Sequence, residues 1–121
     1  MHEAILKEAL MLMFSLAVFT LVAVMGLSMA CDVFQGRGTP KLYALVHGGM
    51  ALLGSALVII AALQGDSRVF VNIGLAVAII VVGIYISFQR AKGIRPRGLV
   101  ALHGATAVVC YLILGYFALG R

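Results

Sequence analysis

The sequence predicts an all-α integral membrane protein: a four-helix bundle built from two tandem, parallel helical-hairpin repeats. Three observations point there. Of the 121 residues, 64% are hydrophobic and only 11% charged, with a mean hydropathy of +1.15. A soluble domain carries roughly 25% charged residues to cover its surface. Four apolar runs follow one another, each close to the roughly 20 residues that cross a bilayer as a helix. Part of the chain also matches itself at a fixed separation. The length suits one transmembrane domain spanning 1–121.

The first run covers about 9–31. Its leader, MHEAILKE, holds two glutamates, and the run is longer than the apolar core of a signal peptide. Despite the small-residue stretch SMAC at 28–31, it reads as a retained helix. DVFQGRGTPK breaks the pattern with Gly36, Gly38 and Pro40 before a second run at about 42–63. QGDSR makes a tight turn into the third run, about 69–88. That run is rich in β-branched residues, which in water favour a strand. In lipid the backbone must satisfy its own hydrogen bonds, so a helix is expected. QRAKGIRPR leads to the fourth run, about 98–119.

The formal net charge is +5. The basic residues sit in short connections between apolar runs, which is an orientation signal rather than a nucleic-acid footprint. The first connection holds Arg37 and Lys41 beside Asp32. The third holds Arg90, Lys92, Arg95 and Arg97 with no acid. By the positive-inside rule both face the cytoplasm, and both termini lie on the other side of what reads as a bacterial-type inner membrane. Glu3, Glu8, Asp32 and Asp66 all fall at or beyond the ends of the apolar runs. Cys31 and Cys110 form no CxxC motif and read as small apolar residues.

Laying TPKLYALVHGGMALLGSALVIIAAL over RPRGLVALHGATAVVCYLILGYFAL, 56 residues apart, matches Pro40 with Pro96 and Lys41 with Arg97. It also matches His47–Gly48 with His103–Gly104, and Ala51 with Ala107. The first run pairs with the third only weakly at this offset, for example Phe14 with Phe70. A tandem duplication of a two-helix unit, about 1–63 and 64–121, accounts for the match. Two crossings return the chain to its starting side, so helices two and four run parallel.

Each histidine follows its basic boundary residue by six positions, or about 9 Å of helix. Both imidazoles are therefore expected at one depth. Gly48, Gly49 and Gly104 flank them, and Ala51, Gly54, Ala107 and Cys110 follow on the same helix faces. Small residues make room for a close helix or a flat ligand. Lys41, Arg90, Lys92, Arg95 and Arg97 stand toward the cytoplasm, where they can pair with a ligand's acidic groups. Two neutral imidazoles can ligate iron from opposite sides of a porphyrin.

On this topology and on His47–Gly48 and His103–Gly104, the chain resembles the membrane b-type cytochromes, whose haems lie between histidines of helices two and four. The resemblance implies haem b held by His47 and His103 as metal ligands. Gly48, Gly104, Ala51 and Ala107 would then border the ring, and Lys41 and Arg97 would meet its propionates. Those proteins usually hold two haems, with two histidines per helix. One histidine per helix here allows one site. His2 lies outside the membrane.

Three function classes follow. The first is a membrane electron-transfer protein with a quinone or a redox partner subunit. The second is a non-catalytic structural or assembly subunit, in which the histidines bond across helices; self-association or a partner chain suits so little soluble surface. The third is a small transporter, disfavoured because no acid lies between Glu8 and Asp32. No Ser–His–Asp arrangement, phosphate loop or carboxylate pair marks an independent enzyme. Tyr43 reads as an interfacial anchor, and Tyr85 and Tyr111 as donors within the bundle. Asn72 reads as a link between helices, and Gly26, Gly74 and Gly83 as packing contacts.

Overall fold

In a computed structural model that describes residues 1–120, the chain forms four long helices. They are α1 (His2–Phe34), α2 (Lys41–Leu63), α3 (Phe70–Ala91) and α4 (Arg97–Leu119). A single 3₁₀ turn, Ser67–Val69, leads into α3. All four are long and apolar enough to cross a membrane. Helix α1 is longer than the expected 9–31, because nothing between Met1 and Gly26 interrupts helical backbone. The leader therefore continues the helix.

The first three helices end alike. Gly36, Gly65 and Gly93 each stand two residues past the last helical residue, with φ of 75°, 111° and 79°. Arg37 N–H then donates to Asp32 O (2.8 Å), Asp66 N–H to Ala61 O (3.1 Å) and Ile94 N–H to Gln89 O (3.0 Å). The three glycines donate three residues back, to Val33, Ala62 and Arg90. This is the Schellman closure, and glycine supplies it without a Cβ penalty. Pro40 and Pro96 then precede α2 and α4, where fixed φ and a missing N–H suit a helix start.

Each helix packs against two neighbours. Helix α1 touches α2 and α4, and α3 touches α4 and α2; the diagonal pairs α1/α3 and α2/α4 do not touch. Two buried clusters fill the interior. Leu12, Val58, Ala61, Val69, Leu114 and Ala118 pack at the end near the termini. Val33, Ile86 and Val100 pack at the end near the first and third connections. The outside is apolar: Leu42 is 73% and Leu27 68% exposed. An apolar exterior around a thin core is what a lipid solvent permits, since acyl chains replace the burial that water would demand.

Candidate functional site

His47 is the seventh residue of α2 and His103 the seventh of α4. Both therefore lie about 9 Å from their helix starts, on helices diagonal to each other. Each ring also rests on the neighbouring helix of its own hairpin. A Cβ built on Gly26 of α1 would lie 3.0 Å from His47 Cε1, and one on Gly83 of α3 would lie 3.0 Å from His103 Cε1. The backbone of Val22 lies beside the first ring and that of Ile79 beside the second. In both rings Nδ1 is buried and makes no hydrogen bond of good geometry, with the backbone of Val22 or Ile79 as the nearest candidate partner.

A second layer lies deeper and is matched in the same way. Ser15 Oγ on α1 donates to Gly54 O on α2 at 3.0 Å. Asn72 Nδ2 on α3 donates to Cys110 O on α4 at 2.9 Å, linking the two helices. Both polar residues are buried. The α2 and α4 partners are 56 residues apart, but the α1 and α3 partners, Gly26/Gly83 and Ser15/Asn72, are 57 apart. The first connection, 35–40, is one residue longer than the third, 92–96, and takes up the difference. At the 56-residue offset Phe14 and Phe70 fall one position out of this contact register; both are exposed.

The remaining site residues spread out. Gly48 and Gly104 are exposed with open space around them, as is Gly49. Ala51 and Ala107 are half-buried, and Cys110 is engaged with Asn72. Lys41 and Arg97 are exposed at their helix starts. The glycines that contact the histidines are Gly26 and Gly83. Sequence reasoning reads these only as packing residues, although their 57-residue separation nearly repeats that of the histidines.

The first and third connections lock together at the histidine end. Asp32 holds Arg37 at 3.1 Å and accepts from Thr39 at 2.8 Å. Arg37 also donates to Gln35. Arg90 reaches across from α3 to Thr39 Oγ1 at 3.0 Å. Lys41, Lys92, Arg95 and Arg97 make no salt bridge among the described residues.

No family model, curated protein or solved structure matches this chain. Its own geometry carries the argument from here.

The opposite end is held by a charged clamp. Buried Asp66 accepts two bonds from the Arg68 guanidinium, at 2.8 and 2.7 Å, and one from Arg68 N–H at 3.2 Å. Those bonds hold its carboxyl below the usual carboxylate range. Arg68 also reaches Glu8 of α1 at 3.8 Å and stands 5.2 Å over the Phe117 ring of α4. One side chain thus fastens the turn to both other helices. Tyr85 accepts from Gln89 along its own helix, and Tyr111 bonds to Thr20 across α1 and α4. Among the described residues no group of three or more His, Cys, Asp or Glu gathers that could hold a metal ion.

Proposed function

We propose that this chain is a membrane electron-transfer protein that holds one b-type haem between α2 and α4. The observation that carries the reading is the histidine pair: matched depth on diagonal helices, with the inner ring nitrogen of each buried in the bundle. Two imidazoles alone are a poor site for a bare cation, which wants three or four protein ligands. They suffice for an iron whose other four ligands come from a macrocycle. The residues present fit that group. Gly26 and Gly83 give each imidazole room to lie in the bundle interior, where a Cβ would push it out of place. Lys41, Lys92, Arg95 and Arg97, which form no salt bridge among the described residues, supply cations at the same end for carboxylates. When bound, the haem would supply one-electron chemistry. The protein's own part would be to fix the depth of both imidazoles and keep water out with the Val33, Ile86 and Val100 cluster above them.

The paired contacts support descent from a duplicated hairpin. They fit an arrangement with the basic connections in the cytoplasm and both termini opposite, in an inner membrane of bacterial type. The test is pigment retention. His47→Ala and His103→Ala should each lose bound haem while the purified protein stays folded. Full haem occupancy in both variants would refute the reading.

A second reading has its own observation. Each histidine already packs against a glycine of its own hairpin, as a residue serving only helix contact would. On that account the chain is a non-catalytic subunit whose apolar exterior meets a partner. It would purify colourless and intact only with that partner.

A further inference from the structure

The positive charge of the chain gathers at the histidine end. Arg37, Lys41, Arg90, Lys92, Arg95 and Arg97 stand there against one acid, Asp32, an excess equal to the formal net charge of +5. Orientation in a bilayer asks only that such charge lie on one side. It does not ask that cations be drawn together.

Three of them nevertheless converge on one short stretch of the first connection, residues 36–39. Arg37 belongs to that stretch, and Asp32 holds its guanidinium at 3.1 Å. Arg90 crosses over from α3. Its Nη1 donates to Thr39 Oγ1 at 3.0 Å and its Nη2 to Arg37 O at 3.5 Å. Arg95 arrives from the third connection. A Cβ built on Gly36 would lie 3.5 Å from Arg95 Nη1, so that guanidinium rests against the Gly36 backbone. Three guanidinium groups and one carboxylate leave two positive charges in excess over four residues of chain. Like charges held so close repel, and more strongly beside hydrocarbon than in water. A guanidinium has five N–H donors; Arg90 gives two, and Arg95 makes no salt bridge among the described residues. Planar donor forks of this kind match phosphate oxygens in pairs.

The surroundings select the kind of phosphate. Phe34, Phe88 and Ile94 lie within three residues of Arg37, Arg90 and Arg95 in the chain, and all three are exposed. A soluble anion gains nothing from exposed apolar side chains. A phospholipid meets both features, with its phosphate on the cations and its acyl chains on the apolar side chains.

We propose that Arg37, Arg90 and Arg95 form a binding site for the phosphodiester of an anionic phospholipid, where the first and third connections meet. Lys41 and Arg97, the cations expected at the haem propionates, take no part. Arg95 is the one of the three that the haem reading also draws on, so the test includes a variant in which haem cannot compete for it.

The experiment follows the melting temperature of the whole protein in mild detergent as lipid is added. The probes are phosphatidylglycerol and phosphatidylcholine with the same acyl chains, and inorganic phosphate. Phosphatidylglycerol should raise the melting temperature saturably, half-saturating at about tenfold lower concentration than phosphatidylcholine. Inorganic phosphate at the same concentrations should not. Arg90→Gln and Arg95→Gln should each weaken the response to phosphatidylglycerol by about fivefold, the usual effect of one cation at a lipid surface. Lys92→Gln removes the same charge from the same end but should weaken it less than twofold. His47→Ala should keep the full preference. Equal responses to the two lipids in the wild type overturn the proposal, as does a phosphate response matching that of phosphatidylglycerol. A loss in Lys92→Gln as large as that in Arg95→Gln also overturns it, because the attraction would then be diffuse. Loss of the preference in His47→Ala would assign it to the histidine site instead. If Arg90→Gln or His47→Ala fails to fold, the wild-type comparison and the Arg95→Gln and Lys92→Gln pair still decide.

Discussion

Gly54 has little room to change. A Cβ there would lie 2.9 Å from the Phe19 ring, and the Gly54 carbonyl also receives the Ser15 hydroxyl. Gly54→Ala should therefore destabilise the bundle by about 1–3 kcal/mol, the usual cost of overpacking, read as a lower melting temperature in detergent. Gly26 and Gly48 make a sharper pair. Gly26→Val must displace the His47 ring, whereas Gly48→Val projects into open space. The first should lower haem occupancy and the second should leave it unchanged; equal loss in both would contradict the contact geometry. The histidines themselves were legible in the sequence, because an ionisable residue in an apolar run stands out. Their glycine partners were not. Which glycine meets which ring depends on how two helices are rotated against each other, and a glycine in a membrane helix carries no sign of what faces it. The hydroxyl of Tyr111 was legible as a bonding group, but not its partner, Thr20, which lies on another helix.

The helices owe their limits to glycine and proline. Gly36, Gly65 and Gly93 close α1, α2 and α3, and Pro40 and Pro96 open α2 and α4. These residues are why the four runs could be placed from sequence to within a few residues. The start of α1 could not, since MHEAILKE lacks a breaker and its charges suggested an end that the backbone does not make. The QGDSR turn was visible, but its clamp was not: Arg68 meets Glu8 and Phe117 only after the bundle closes. The clamp has a pH signature. Asp66 is more acidic folded than unfolded, chiefly because Arg68 bonds its carboxylate. Its contribution is therefore fully present above the unfolded value of about 3.9 and is lost as the pH falls through the lower, folded value. Melting temperature in detergent should fall on acidification through that range. Asp66→Asn should be less stable at neutral pH and show a flatter acid response. A variant with an unchanged acid profile would show that the clamp contributes nothing.

At the scale of the molecule, two similar hairpins place two histidines at one end of the bundle and a charged clamp at the other. The likeness of the two hairpins was legible in α2 and α4, where His-Gly, Pro and a basic residue recur together. In α1 and α3 no such likeness is visible in the sequence, because the residues making corresponding contacts differ in type, Ser15 against Asn72, and are offset by one position. Charge follows the same polarity: the cations Lys41, Lys92, Arg95 and Arg97 stand at the histidine end. The account rests on those two imidazoles holding a haem. Its most direct test is the absorption spectrum of the protein purified in mild detergent, recorded as isolated and again after dithionite. The account expects a Soret band with sharp reduced α and β bands, the mark of a low-spin iron between two histidines. A colourless protein, from cells supplied with ample haem, would contradict it.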